Sequence, residues 1–193
     1  MKLLLATRVV PTLLCVISAG AHAAPVTYRI DPDHTYPSFE GDHMGVSVWR
    51  GKLTKTQGTV TMDKVAGTGS VDITMDSASI DFGQRQLNNW AKGPEFLDSA
   101  SFAVATYKGT LGDFVNGAPT QVLGSLNLHG ITRPVALKIL AFTCRPHPLF
   151  RREVCGADAT GSFQRDEFGL DTGKSLGFKM DVLLRIQVEA LAE

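Results

Sequence analysis

Asp31, Asp33 and His34 stand within four residues of one another, His43 follows nine residues after His34, and His129 lies far along the chain. Imidazoles beside carboxylates suit two kinds of chemistry. One is a metal held by ring nitrogens and carboxylate oxygens. The other is a base oriented by Asp31 or Asp33 toward a hydroxyl such as that of Ser38 or Ser47. The spacing matches no zinc signature, and imidazoles bonded to backbone or carboxylate are the commoner arrangement, so no metal is expected. Neither a G-x-S-x-G elbow nor a phosphate loop is present. Without an activated nucleophile, no catalysis is expected and no catalytic residue is assigned.

What such residues can do depends on what holds them. The first stretch, MKLLLATRVVPTLLCVISAGAHA, carries Lys2 and Arg8, an apolar run from Val9 to Ala19, and then Ala21-His22-Ala23. A basic start, a short apolar core and an A-x-A site make a secretory signal over residues 1–23, cleaved after Ala23. The apolar run falls short of the roughly 20 residues of a spanning helix, which disfavours an uncleaved anchor. Leu14 before Cys15 also lacks the small residue of a lipoprotein signal. Residues 24–193 then form one domain of ordinary size. Losing Lys2 and Arg8 takes the formal charge from zero to about −2, which leaves no basic stripe and excludes nucleic acid as an expected partner. The remaining cysteines, Cys144 and Cys155, are an even pair in an oxidising compartment, without the C-x-x-C form of a redox or zinc motif. A structural disulfide across a hairpin end is the simplest reading, with two free thiols as the alternative.

The body of the chain reads as strands. In FKMDVLLRIQVEALAE, Met180, Val182, Leu184, Ile186, Val188 and Ala190 alternate with mostly polar neighbours, the period of a half-buried strand. Similar runs span Thr59 to Asp63, Ser70 to Asp76, Phe102 to Gly109, Gln121 to Gly130 and Pro134 to Phe142. Turn-rich KVAGTG and GDFVNGAP separate them. Within NLHGITRP, His129-Gly130 suits a tight hairpin, because glycine supplies positive φ. The stretch 85–98 breaks the alternation, and Leu87, Trp90 and Ala91 fall at helical spacing, so a short helical segment is expected there. An open sheet of this many strands exposes two long edges, which closure removes. The expected fold is therefore all-β, a closed antiparallel barrel able to enclose a small ligand.

Taken in order, YRIDPDHTYPSFEGDHMGVSVWRGKL, SASIDFGQRQLNNWAKGPEFLDSASFAVATY, GSLNLHGITRPVAL, CGADATGSFQRDEFGL and VLLRIQVEA resemble the YceI-like family of polyisoprenoid-binding, lipocalin-like periplasmic proteins. The resemblance covers nearly all of residues 24–193 and rests on the combination of D-x-x-H, H-x-G-x-S, L-x-L-H-G-x-T-R-P and R-x-x-F-G-L. Thr35 and Tyr36, and Ser101-Phe102, depart from the family's usual residues. What the resemblance implies is an extended, eight-stranded, lipocalin-like barrel in the periplasm. Its long axis would hold an isoprenoid lipid, polyprenyl or quinone-like, with no other cofactor.

Burial of each methylene yields ~0.8 kcal/mol, so a tail of a few isoprene units can bind without directed contacts. Candidate lining residues are Phe39, Met44, Phe82, Trp90, Phe96, Phe102, Phe142, Phe163 and Phe178, with the alternative that about half only fill core. His34, His43, Arg85 and Arg165 are candidates for a polar mouth. Partners to weigh are a membrane or membrane enzyme in transient contact, and a second copy of the chain. Two other readings compete with lipid carriage. A hydrolase or metal-dependent enzyme around His34 and His43 would need a polar cleft. A surface adaptor would need a filled barrel and an exposed apolar patch.

Overall fold

The computed structural model describes residues 24–193; the secretory signal expected over residues 1–23 lies outside them. The strands, in order, are β1 (Val26–Ile30), β2 (Tyr36–His43), β3 (Ser47–Leu53), β4 (Thr56–Asp63), β5 (Thr68–Asp76) and β6 (Ile80–Asp81). They continue as β7 (Val104–Gly112), β8 (Gln121–Leu128), β9 (Ile131–Pro146), β10 (Glu153–Gln164) and β11 (Asp181–Ala192). Several lie end to end. β1 and β2 share one side of β11, with Ile30 opposite Ala190 and Tyr36 opposite Gln187. Likewise β3 and β4 flank β2 and β1, and β6 and β5 flank β3 and β4 in turn. The result is a closed barrel of eight antiparallel staves. Each stave pairs with its neighbour in sequence, and β11 closes onto β1 and β2.

Alternation places the core. On β11, Val182, Leu184, Ile186, Val188 and Ala190 face the interior, while Arg185 and Gln187 stand exposed between them. β7 and β8 do the same with Ala105, Tyr107 and Leu111, and with Val122 and Leu126. Gly124 also sits among the inward positions of β8, and the Tyr107 ring crosses directly over it: a Cβ on Gly124 would lie 2.5 Å from Tyr107 Cζ. The Tyr107 hydroxyl thereby reaches β9 and donates to the carbonyl of Val135 at 2.8 Å. Burial pushes this phenol up to about 12.

The strand between Ile131 and Pro146 is longer than its alternation suggests, and it changes parity midway. Ala159 pairs with Ile139 but Asp158 pairs with Ala141, so Leu140 is the extra residue of a bulge. Val135, Leu137 and Ile139 face inward before it and Phe142 after it, with Leu140 itself turned to solvent. At the other end of β9, Leu128 pairs with Ile131 and the two-residue turn has φ of 52° at His129 and 75° at Gly130. Both central residues at positive φ make the tight hairpin expected of this dipeptide.

The helical segment is one helix, α1 (Arg85–Lys92), followed by irregular turns. The Gln84 side chain accepts from the N–H of Leu87 at its start, and Gly93-Pro94 ends it. Asn88 ties it to β6, donating to Asp81 at 2.8 Å and accepting from the N–H of Phe82 at 2.7 Å. Ala91 is fully buried, and Phe96 and Leu97 reach the barrel interior just beyond.

Candidate functional site

Small and aliphatic residues at the inward positions leave the barrel incompletely filled. A cavity of about 250 Å³ runs along it, walled by the inward aliphatics of all eight staves. At one end the β4–β5, β7–β8 and β9–β10 turns gather around Tyr28. Its ring is 2% exposed and lines the cavity, and its hydroxyl donates to Glu153 at 3.2 Å. The Lys64 ammonium donates to the same carboxylate, so phenol, acid and amine form one cluster. Burial raises the Tyr28 phenol; burial pulls Lys64 the other way, yet its bond to Glu153 holds it above the usual amine range. The Cys144–Cys155 disulfide lies beside this cluster, joining residues directly opposite on β9 and β10, and Cys155 forms part of the wall.

At the opposite end Phe96, Leu97, Phe163, Leu170 and Arg165 close in. Among the described residues Arg165 is the only charged side chain that lines the cavity. Its guanidinium donates to the carbonyls of Leu170 and Thr172 and lies 6.0 Å from the centre of the Phe96 ring. Burial lowers its pKa, with Asp166 and Asp171 pulling it back up, and the group stays cationic. Two carbonyls leave part of the five-donor fork free, which suits a polar or anionic group at this end of an otherwise apolar space.

The sequence candidates divide by position. Phe39, Phe96, Phe142, Phe163 and Arg165 line the cavity, on five different elements or turns. The others lie outside it. Phe82 packs edge-on to Phe39 at 5.5 Å, behind the wall. Trp90 stacks on Phe96 at 5.0 Å from the solvent side of α1, and Arg85 is exposed on the first turn of that helix. Phe102 precedes β7 instead of opening it, because its N–H closes a turn on Asp98; its ring caps the His129-Gly130 hairpin, 4.2 Å from His129. Met44 is 56% exposed in the β2–β3 turn. His43 stacks on Trp49 at 4.0 Å, with Phe178 edge-on to it at 5.4 Å. His34 is exposed and bonded to Asp31 at 2.8 Å. His129 faces the carbonyl of Phe168 at 3.2 Å, so the three histidines are held apart. Among the described residues, the one group of three donor atoms near enough to share an ion is Cys144, Glu153 and Cys155, whose sulfurs are joined to each other.

Most of the wall is aliphatic, so large aromatics mark only a few of its positions. The signal that finds it is the alternation itself, read stave by stave. Polar wall residues outside the sequence candidates include Tyr28, Thr56, Ser77, Tyr107 and Thr35, the last 2% exposed at the break between β1 and β2.

Comparison with known proteins agrees with this architecture. The curated proteins named Protein YceI from Salmonella arizonae and Salmonella heidelberg are each 27% identical over 186 residues, covering 94% of this chain and 95% of theirs. Among solved structures, Burkholderia cenocepacia BcnA superposes with a TM-score of 0.68 at 19% identity, over 83% of this chain and 99% of that one. A domain of Saccharophagus degradans described as polyisoprenoid binding gives 0.63 at 15% identity, over 86% and 98%. The Campylobacter jejuni YceI protein gives 0.65 at 18% identity, over 79% and 90%. The family model for the YceI-like domain matches residues 28–190, from the first stave to the last, and the chain belongs to the YceI-like family.

Proposed function

We propose that this protein is a periplasmic carrier for a long isoprenoid amphiphile, polyprenyl or quinone-like, held in the barrel without chemical change. The observation that carries the reading is the cavity: long, walled by aliphatic side chains, and furnished with one charge, Arg165, at one end. A branched hydrocarbon gains ~0.8 kcal/mol per methylene-sized unit moved out of water, so the tail supplies affinity and the wall sets its length. Arg165 supplies direction, since among the described residues it is the one charged side chain on the wall and it stands at one end of the cavity. The similarity to a domain described as polyisoprenoid binding supports the tail chemistry.

The test is purification from the native host without detergent, followed by solvent extraction and mass spectrometry. A stoichiometric prenyl lipid or prenylquinone is expected. Recovery of straight-chain fatty acids alone, or of no lipid, would overturn the isoprenoid assignment.

A further inference from the structure

The β9–β10 hairpin carries a feature that a cargo cavity does not need. Its tip reads Arg145-Pro146-His147-Pro148-Leu149-Phe150-Arg151-Arg152. Leu149 is 79% exposed and Phe150 55%, and the three arginines around them are exposed as well. None of these arginines joins an ion pair among the described residues; Arg152 donates only to the carbonyl of Ala192, at 3.1 Å. The tip is nonetheless shaped. His147 Nδ1 accepts from the N–H groups of both Leu149 and Phe150 at 3.2 Å, the His147 N–H donates to Arg152 O at 2.7 Å, and the imidazole stacks on Phe150. The disulfide staples the strands just behind it.

Neighbouring loops extend the same surface. Val65, 75% exposed, and Val115, 59% exposed, stand on the β4–β5 and β7–β8 turns. Lys64 links the first of these turns to Glu153, and Phe114 of the second lies against Gly67. The acids of this rim are engaged: Asp63 accepts from the N–H groups of Val65 and Ala66, Asp113 from Gln121, and Glu153 from Lys64 and Tyr28.

We infer that this end of the barrel docks on an anionic lipid bilayer. Leu149 and Phe150 enter the headgroup layer while Arg145, Arg151 and Arg152 meet the lipid phosphates. Adjacent apolar side chains at the apex of a convex, stiffened hairpin fit a deformable apolar layer beneath a sheet of negative charge. A protein partner would need a matching socket with an acidic rim. The inference rests on outer residues alone and is independent of the cargo.

Co-sedimentation of the purified protein with vesicles tests it. Vesicles of phosphatidylcholine with about one-third phosphatidylglycerol should bind the protein, pure phosphatidylcholine should bind it far less, and added salt should weaken the binding. Replacing both Arg151 and Arg152 by Gln should lower partition to the anionic vesicles about tenfold or more. The pair Leu149→Ser and Phe150→Ser should abolish it. Phe150→Trp should show a blue-shifted emission when anionic vesicles are added. All these positions are exposed, so an unchanged melting temperature confirms the fold of each variant. Wild-type protein that stays in the supernatant with anionic vesicles would overturn the inference, as would tip variants that bind like wild type. An envelope protein captured through Leu149 and Phe150, with no vesicle binding, would also overturn it.

Discussion

Thr35 does at one residue what a ladder does along a strand. Between β1 and β2 the backbone leaves β11, and the Thr35 hydroxyl takes its place, donating to Glu189 O and accepting from Glu189 N–H, both at 3.2 Å. Asp31 and His34 clasp the outside of this break. The bond to Asp31 raises His34 above the ordinary imidazole value. Burial pulls the Asp31 carboxyl upward, but bonds from His34 and the Asp33 N–H outweigh it and hold the group below the usual carboxylate range. The raised imidazole stabilises the fold fully below its unfolded pKa and ceases to do so as pH rises through its folded value. The depressed carboxyl contributes fully above its unfolded pKa and is lost as pH falls through its folded value. The clasp is therefore tightest at mildly acidic pH, between the two. A proton NMR titration should place the His34 midpoint above that of an ordinary histidine side chain, and Asp31→Asn should lower it toward that value; equal midpoints in the two proteins would contradict the clasp. The carboxylate–imidazole cluster was plain in DPDHT. Its role was not, because the Glu189 that Thr35 bonds lies more than a hundred and fifty positions away.

At the scale of elements, β9 is paired on both sides for only part of its length. Its pairing with β8 ends at Lys138, so from Ala141 to Pro146 it is held through β10 alone. The Cys144–Cys155 disulfide crosses that overhang between directly paired residues, closing a loop of eleven positions. The chain-entropy model values a loop of this size at roughly 3 kcal/mol. Cys144→Ser with Cys155→Ser should lower unfolding stability by about that amount in urea titration. Hydrogen exchange should quicken most between residues 139 and 146, where one ladder remains. A loss spread evenly over the barrel would contradict this local account. The paired cysteines and the hairpin between them were readable from spacing and compartment. The Leu140 bulge was not: ILAF is apolar at four successive positions, so the sequence offers no change of period where the strand changes face.

For the whole molecule, the period-2 pattern carried the closed barrel, and the interior followed its inward positions. The aromatic candidates fared unevenly for a physical reason. Phe142 and Phe163 sit on strands, where parity fixes their direction, whereas Phe102 and Phe178 sit in connections whose course depends on packing between distant hairpins. Phe163→Glu, placing an unpaired carboxylate in the apolar wall, should abolish lipid co-purification at a cost of several kcal/mol. Ile186→Trp, which fills the same space without charge, should shorten the lipid accepted or exclude it. Gln187→Glu on the outer face should change neither. Folded wall variants that retain the lipid at the wild-type ratio would place the cargo elsewhere. The seam between β11 and its partners β1 and β2 has a kinetic corollary. Seven of the eight contacts between staves join neighbours along the chain and can zip locally, but the eighth unites the first stave with the last. A polypeptide emerging in order from ribosome or membrane pore cannot close until Asp181–Ala192 has arrived. Until then both borders of the growing sheet present unpaired backbone to any other extended chain nearby.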